Sequence, residues 1–483
     1  PGSDSGQSPP EGGSRADGLV SADVGIDAAT PLLFWYRHGR DPLVPRDVRN
    51  VFWGFSAVDI DDPPDRPGTS KVVTDPAGHL VLLSVVPEAG ASPEPGPRPI
   101  DWSPVFESAG LNAQNFTAVT PSFTPPFFAD IRRSWTGPDP DDPGSTLHVD
   151  AAGWMGRPAY FAVREWTRAL DDAPTTPFLL FMKVSDIQLF LLLVAAIPIA
   201  RLNFTHGRVD RPGALKLSVF VLVARLITWS MRATHVPDWN AELDLFFAAA
   251  AAALLEAARV WLFYVALEPQ VRRLWPQLLI SWNRLMAGRL RDHILGRDVL
   301  VGAAIGVGYM LLLDLDAALP GWLGLDHIPF AVDPSVIVST LGTRGQFATL
   351  VEVLIDSIYD AVTTVMFLVL LRAIVRRKWA AAAALLVGTA VMATLEGSTP
   401  AVSWLTMGVL AGGLTVVALL RFGLVTALTA TFVSYLLQSY PLTLEFSSWY
   451  VEASIFALVA VSAVAAYGAG AALSRRTAVM LPR

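Results

Sequence analysis

The sequence predicts a β-rich extracytoplasmic domain of the α+β class, followed by an α-helical polytopic membrane domain with about nine transmembrane helices. Composition is the first indication. The chain is 52% hydrophobic and 16% charged with a mean hydropathy of +0.44, values that a water-soluble protein of 483 residues rarely reaches. Proline distribution is the second. Of the 36 prolines, 25 precede residue 178, which disfavours long helices there and leaves the later residues free to form them.

The first residues predict a flexible linker. Residues 1–30 are dominated at their start by Gly, Ser, Pro and Asp, a linker composition. The chain begins at Pro1, and no basic start followed by an apolar run indicates a signal peptide. We therefore expect that the chain is a piece of a longer protein, in which an earlier span carries these residues out of the cytoplasm.

Residues 31–177 predict the extracytoplasmic β-rich domain. Two apolar runs within 71–86 flank Asp75-Pro76-Ala77-Gly78, which predicts a hairpin. We expect strands at 51–58 and 159–166 as partners, and a short helix followed by a loop within 102–117. Residues 1–177 carry 24 acidic and 13 basic side chains, so a nucleic-acid partner is not expected.

Two features of this domain have alternative interpretations. Phe34-Trp35-Tyr36-Arg37 places a cation beside aromatic rings, so Trp35, Tyr36 and Arg37 could line a ligand pocket, although a strand packing its aromatics into the core is favoured. The acidic residues between Asp59 and Asp65 could bind calcium. They lack the spacing of a calcium loop, so a solvated acidic loop is favoured and no metal site is expected.

The membrane domain is expected at 184–471, with a cytoplasmic tail at 472–483. Each apolar segment has about the length needed to cross a bilayer of roughly 30 Å hydrocarbon thickness. The predicted spans are 184–200, 215–233, 245–267, 298–313, 347–371, 379–395, 403–420, 422–438 and 449–471.

Basic residues predict the orientation. Eighteen Lys and Arg lie in 201–216, 269–297, 372–378, 475–483 and position 421, whereas the intervening loops carry one, Arg344. Positively charged loops stay cytoplasmic. This bias predicts an extracytoplasmic N-terminal part, residues 1–177, and a cytoplasmic C-terminus.

One apolar segment is not expected to cross. Residues 272–291 interleave Trp275 and Trp282 with arginines. This pattern predicts an amphipathic helix on the cytoplasmic surface, with both tryptophans at the level of the headgroups.

Three acidic residues lie within the fifth predicted span. Glu352, Asp356 and Asp360 recur every four residues, so they form one stripe along a helix. A carboxylate at the bilayer centre costs about 2.5–3.5 kcal/mol, which predicts that the stripe faces protein or water. We expect Asp356 to be the most buried of the three.

Arg225, Glu256 and Arg259 lie in the second and third predicted spans and supply countercharges, with Arg225 or Arg259 as the expected partner of Asp356. Two interpretations of the charged set stay open. One is a ligand pocket or a path for protons or ions, and the other is a structural polar network that orients the helices.

The motif search favours packing over chemistry. Gly302-x-x-x-Gly306 and Gly408-x-x-x-Gly412 predict closely packed helices. The chain has no cysteine, no nucleotide-binding lysine loop, no nucleophile elbow and no kinase catalytic or magnesium motif. No catalytic residue, metal site or cofactor is therefore predicted.

Several short segments of the sequence, taken together, resemble a known protein family. They are Phe34-Trp35-Tyr36-Arg37, Asp75-Pro76-Ala77-Gly78-His79-Leu80, Asp101-Trp102-Ser103-Pro104-Val105-Phe106, Ala109-Gly110-Leu111, Thr124-Pro125-Pro126, Leu267-Glu268-Pro269-Gln270-Val271-Arg272-Arg273-Leu274-Trp275-Pro276, Ile280-Ser281-Trp282-Asn283-Arg284-Leu285 and Gly296-Arg297-Asp298-Val299-Leu300. Over most of residues 31–300 they resemble the C-terminal region of large membrane-bound bacterial serine/threonine protein kinases of the acidobacterial type.

The resemblance implies a cytoplasmic kinase domain, with its ATP and Mg, that this chain does not contain. It implies a multi-pass protein of the bacterial inner (plasma) membrane. Its partners are then the lipid bilayer and a small-molecule or ion signal, and the oligomeric state stays open. The first functional hypothesis is a sensor and anchor region for the kinase. The second is a transporter or channel-like module that uses the Glu352, Asp356 and Asp360 stripe.

Overall fold

The structure is a computed structural model that describes residues 18–20, 33–47, 51, 55–88, 99–140, 142, 144–171, 176–324, 334–396 and 400–474. Its described part is mostly helical, with an antiparallel sheet near the N-terminus. The chain divides into two compact units. The sheet unit comprises Pro1–Ala173 with Ala233–Ala249, and the membrane unit comprises Pro174–Arg232 with Ala250–Arg483.

The described strands of the sheet unit form one sheet in the order β1-β2-β3-β4-β8-β7-β6-β5, with antiparallel neighbours throughout. They are β1 (Gly18–Val20), β2 (Leu33–His38), β3 (Ser70–Thr74), β4 (Leu80–Val85), β5 (Thr117–Val119), β6 (Ile131–Pro138), β7 (Thr146–Trp154) and β8 (Arg157–Val163). Two helices accompany them, α1 (Ser103–Ser108) and α2 (Arg164–Asp171).

The predicted hairpin is confirmed. Strands β3 and β4 pair through a turn in which Gly78 N donates to Asp75 O (3.0 Å) and His79 N donates to the Asp75 carboxylate (2.7 Å). Gly78 has a φ of +88°, a left-handed conformation that glycine adopts without steric cost. The turn residues therefore set the register of the pair.

The other predictions for this domain have mixed outcomes. The short helix within 102–117 is confirmed as α1. The partner expected at 159–166 is present as β8, although the chain becomes helical from Arg164. The strand expected at 51–58 is wrong for Phe55 and Ser56, which form a turn with φ values of 58° and 57°, while 52–54 lie outside the described residues.

An aromatic cluster fills the core between α1 and the sheet. Phe106 of α1 is 1% exposed, and its ring lies 5.2 Å from Trp135 and 5.5 Å from Phe161, both in edge-to-face geometry. Each such pair contributes about 0.5–1.5 kcal/mol beyond burial of its area. This packing gives the sheet unit a core of its own.

The membrane unit is built from helices, the third of which begins in the sheet unit. They are α3 (Thr176–Thr205), α4 (Arg211–Arg232), α5 (Trp239–Leu274), α6 (Ile280–Met286), α7 (His293–Trp322), α8 (Pro334–Thr340), α9 (Gly342–Val375), α10 (Lys378–Glu396), α11 (Pro400–Ser403), α12 (Gly412–Val417), α13 (Leu424–Gln438) and α14 (Val451–Leu473). Trp404–Ala411 and Ala418–Phe422 are π-helical and flank α12. Phe263, Met366 and Leu368 are among its fully buried core side chains.

Among the described residues, seven helices are long and apolar enough to cross a membrane, where nine were expected. They are Val184–Thr205, Arg211–Arg232, Trp239–Leu274, His293–Trp322, Gly342–Val375, Trp404–Phe422 and Val451–Leu473. The segments expected at 379–395 and 422–438 correspond to shorter apolar helices, Lys378–Ala393 and Leu424–Gln438. Helix α13 has 15 residues, which extend about 22 Å at 1.5 Å per residue. It therefore falls short of the roughly 30 Å hydrocarbon core.

The small-residue motifs are confirmed as packing sites. A Cβ atom at Gly302 would lie 2.7 Å from Thr426 O, and one at Gly306 would lie 2.6 Å from Ala430 O, so α7 meets α13 backbone to backbone. Gly408 makes an equally close approach to α10, because its Cβ would lie 2.6 Å from Ala390 Cα. Larger residues at these positions would force the helices apart.

The amphipathic helix expected at 272–291 is wrong. The segment holds the end of α5, a 3₁₀ turn at Pro276–Leu279 and the seven-residue α6, none of which forms a continuous surface helix. Trp275 and Trp282 are 3% and 2% exposed, and they pack in the main core of the unit. Both tryptophans thus face protein, where they make many close contacts, while Arg272 and Arg289 stay exposed.

Candidate site in the membrane unit

A bidentate ion pair joins α4 to α5. Arg225 Nε lies 2.6 Å from Glu256 Oε2, and Arg225 Nη2 lies 2.8 Å from Glu256 Oε1. The Glu256 side chain is 5% exposed and that of Arg225 is 16% exposed. Parallel contacts of this kind fix both distance and orientation, so two of the predicted residues form a rigid link between helices.

The acidic stripe of α9 faces this pair. Glu352 forms an ion pair with Arg232 at the end of α4, and its Oε1 also lies 4.0 Å from Arg225 Nη1. Asp356 Oδ1 lies 3.7 Å from Arg225 Nη2. We define the charge network as Arg225, Arg232, Glu256, Glu352 and Asp356. It holds three acidic groups against two basic groups, which draws α9 to α4.

Two of the predictions about Asp356 can be compared with these contacts. Arg225 is its partner, as expected. The expectation that Asp356 is the most buried carboxylate is wrong, since its side chain is 44% exposed against 15% for Glu352. The reason is Arg232, which lies at the last position of α4 and covers Glu352 instead.

Arg259 lies outside the charge network. Its guanidinium carbon is 3.9 Å from the centre of the Tyr359 ring, a cation–π contact between α5 and α9. Tyr359 is one position before Asp360, so it points away from the acidic stripe. Arg259 therefore joins α5 to α9, two of the three helices that carry the charge network, through a different face of α9.

Asp360 borders a cavity of about 570 Å³ inside the membrane unit. The lining comes from α3, α7, α9, α10, the π-helical stretch at Trp404–Ala411, α12 and α13. The polar and aromatic lining residues are Gln188, Tyr309, Asp316, Asp360, Thr363, Thr364, Phe367, Thr389, Thr415, Tyr435 and Gln438. A cavity of roughly 300–1,000 Å³ is typical of small-molecule sites.

Asp316 is the second carboxylate of the cavity. It is 1% exposed, and it accepts hydrogen bonds from Thr406 Oγ1 (2.5 Å) and Ser403 Oγ (3.1 Å). The sequence analysis missed it because the predicted span ended at 313, whereas α7 continues to Trp322. The alternation of Leu with Asp314 and Asp316 in the final turns of an apolar helix was the available signal.

Trp35, Tyr36 and Arg37 do not come together in the sheet unit. They follow one another in β2, so Trp35 and Arg37 lie on one face, at 6% and 1% exposure, and Tyr36 lies on the other at 47%. Arg37 donates to Asp59 O (2.8 Å), Pro63 O (2.5 Å) and Asp65 Oδ1 (2.7 Å). The guanidinium group of Arg37 thus makes these hydrogen bonds within the protein.

The acidic loop supplies those acceptors. Asp61 lies 2.9 Å from Lys71 Nζ, and Asp65 lies 3.4 Å from it. Asp62 is buried, and its carboxylate accepts from the backbone N–H groups of Arg46 (2.8 Å) and Asp47 (3.0 Å). Much of this loop is therefore a partner for buried cations rather than a solvated segment. No cluster of His, Asp and Glu suited to a metal ion occurs in the part of the chain that the structure describes.

Comparison with known proteins finds no matching family model, no matching curated protein and no matching solved structure. The site is therefore interpreted from its own geometry and chemistry.

Proposed function

We propose that this chain is the membrane sensor and anchor region of a bacterial transmembrane serine/threonine protein kinase. In this proposal a small-molecule or ion signal enters the cavity beside Asp316 and Asp360, and the helices transmit its binding to a cytoplasmic kinase domain. The cavity carries the proposal, because its volume and convergent polar groups are those of a ligand site. The resemblance of residues 31–300 to such kinases supplies the signalling context.

The proposal includes nine spans, with the sheet unit outside and the C-terminus inside. The distribution of Lys and Arg supports this orientation. The loop after α4 supports it as well, since Ala233–Ala249 belongs to the sheet unit and Thr234 Oγ1 accepts a hydrogen bond from Val58 N (3.0 Å). In this arrangement α10 and α13 both cross the membrane, and the residues that flank each helix span the rest of its thickness.

Labelling of single cysteines tests the number of spans, because the chain has none of its own. Nine spans place Arg421 in the cytoplasm, whereas the seven-span path, in which neither α10 nor α13 crosses, places it outside. The Arg421→Cys variant should therefore resist an impermeant maleimide in right-side-out vesicles and react in inside-out vesicles. Ser447→Cys, outside in both arrangements, is the control. Labelling of Arg421→Cys in right-side-out vesicles would overturn the nine-span arrangement.

A transporter is the second candidate. Glu352, Asp356 and Asp360 follow one face of α9 from the charge network to the cavity, as a proton or cation path would. Asp356 is half-exposed, so a moving ion could bind to it on the way between the charge network and the cavity.

Liposome flux separates the two candidates. The purified chain is reconstituted in liposomes that contain a pH-sensitive dye, and a pH gradient is imposed. A sensor should give proton movement no faster than protein-free liposomes. Movement that requires the chain and is lost in Asp356→Asn would establish the transporter and overturn the sensor. For the kinase part, the full-length protein isolated from its own membranes should carry phosphoserine or phosphothreonine, and its absence would remove that part of the proposal.

A further inference from the structure

The two carboxylates of the cavity differ in their partners. Both oxygens of Asp316 accept hydrogen bonds from hydroxyl groups, so this residue links α7 to the end of α11 and to the π-helical stretch that follows it. Asp360 has no hydrogen bond or ion pair within the described residues. A carboxylate in an apolar helix without a partner in the protein is costly, and a bound cation would offset that cost.

Among the described residues, no basic side chain lies beside Asp360 in the cavity. No Lys or Arg is among the described residues that line the cavity. Arg225 is bound by Glu256 in the charge network, one helical turn away at the level of Asp356, and Arg259 stacks on Tyr359. The negative charge of the cavity is therefore available to a ligand.

The remaining lining indicates what kind of cation fits. Tyr309, Phe367 and Tyr435 contribute aromatic rings, which attract ammonium groups and also pack against hydrocarbon. A calcium ion would need several oxygen ligands at about 2.3–2.6 Å, but the Asp316 oxygens already accept hydrogen bonds and the cavity volume far exceeds that of one ion.

We propose that the cavity binds a small organic cation, with its ammonium group at Asp360 and its apolar part against Phe367 and the neighbouring aromatic rings. This inference rests on the proposed function, since it names the ligand class of the same cavity. Asp360 is the residue that selects the charge of the ligand, and Asp316 is a positioning residue.

Thiol reagents of opposite charge test the selection. Thr364 lines the cavity one turn from Asp360, so Thr364→Cys places the thiol beside the carboxylate. Its rates with cationic aminoethyl and anionic sulfonatoethyl methanethiosulfonate are measured in the full chain. Each is divided by the rate at exposed Thr205→Cys, which corrects for the reactivity of the reagent.

The cationic reagent should be favoured at Thr364→Cys on the order of tenfold, the effect of one nearby charge in a weakly screened site. Adding Asp360→Asn should remove the preference, and Asp360→Glu should retain it. In Asp316→Asn the preference should persist while thermal stability falls, because the hydroxyl contacts to α7 change.

Two negative results of this experiment would have different consequences. Equal corrected rates for both reagents, or a preference that survives Asp360→Asn, would overturn the organic-cation inference and leave the cavity as a ligand site. Reaction of neither reagent at Thr364→Cys, with normal reaction at Thr205→Cys, would mean that solutes do not reach the cavity. That result would overturn the proposed function as well.

Discussion

The acidic loop of the sheet unit and the acidic stripe of α9 both contain several carboxylates within a short segment, yet these carboxylates have different partners. In the loop, Asp61 and Asp65 are partners of the buried cations Arg37 and Lys71. In the stripe, Glu352 is paired, Asp356 is half-exposed beside Arg225, and Asp360 meets a cavity. The comparison suggests where to look for a ligand site: our proposal rests on Asp360, the carboxylate that has no partner among the described residues, and the number of carboxylates does not identify it.

The largest expected effect is at Arg37. Arg37→Ala removes a buried cation that contacts two carbonyl groups and Asp65, and it leaves the two carbonyl groups without this donor and Asp65 with Lys71 alone. We expect a loss of about 3–5 kcal/mol in the free energy of unfolding of the sheet unit. Denaturant unfolding of the full chain, followed by tryptophan fluorescence, measures it.

Arg133→Ala is the matched control, because Arg133 lies exposed on β6 and should change stability by less than about 0.5 kcal/mol. Equal effects of the two substitutions would mean that the acidic loop does not depend on Arg37 as its partner.

An intermediate effect is expected at Glu256. Glu256→Gln removes the bidentate partner of Arg225 but leaves Glu352 and Asp356 near the guanidinium. We expect a loss of about 2–3 kcal/mol, less than for a buried cation with no acid left beside it. Thermal unfolding in detergent checks this value. No change in stability would imply that the bidentate pair contributes nothing net and would weaken the comparison.

The smallest effect is expected at Asp356. Its side chain is 44% exposed and 3.7 Å from Arg225, so Asp356→Asn should cost under about 1 kcal/mol. The same thermal measurement, beside Glu256→Gln, tests the order. A larger loss for Asp356→Asn than for Glu256→Gln would place Asp356 among the structural residues and remove it from any ion path.

The local features could be predicted from the sequence, whereas only some residues of the candidate site could be. The spacing of Glu352, Asp356 and Asp360 predicted a stripe, and the turn at Asp75-Pro76-Ala77-Gly78 predicted a hairpin, because both depend on residues a few positions apart. Arg232 was missed as the partner of Glu352, since the two lie on helices far apart in sequence. Asp316 was missed because the predicted fourth span ended before α7 does.

By itself the sequence determined that this is a multi-pass membrane protein with a small β-rich part before the spans, because hydropathy and proline content act on each segment locally. The close contacts at Gly302 and Gly408 were likewise predictable, since small residues at four-residue spacing permit helices to meet. Only the tertiary structure decided that Trp275 and Trp282 are buried, that Asp360 faces a cavity, and that Arg225 rather than Arg259 is the partner of Asp356. Which neighbour covers a side chain depends on how distant helices pack, and periodicity within one helix carries no information about that.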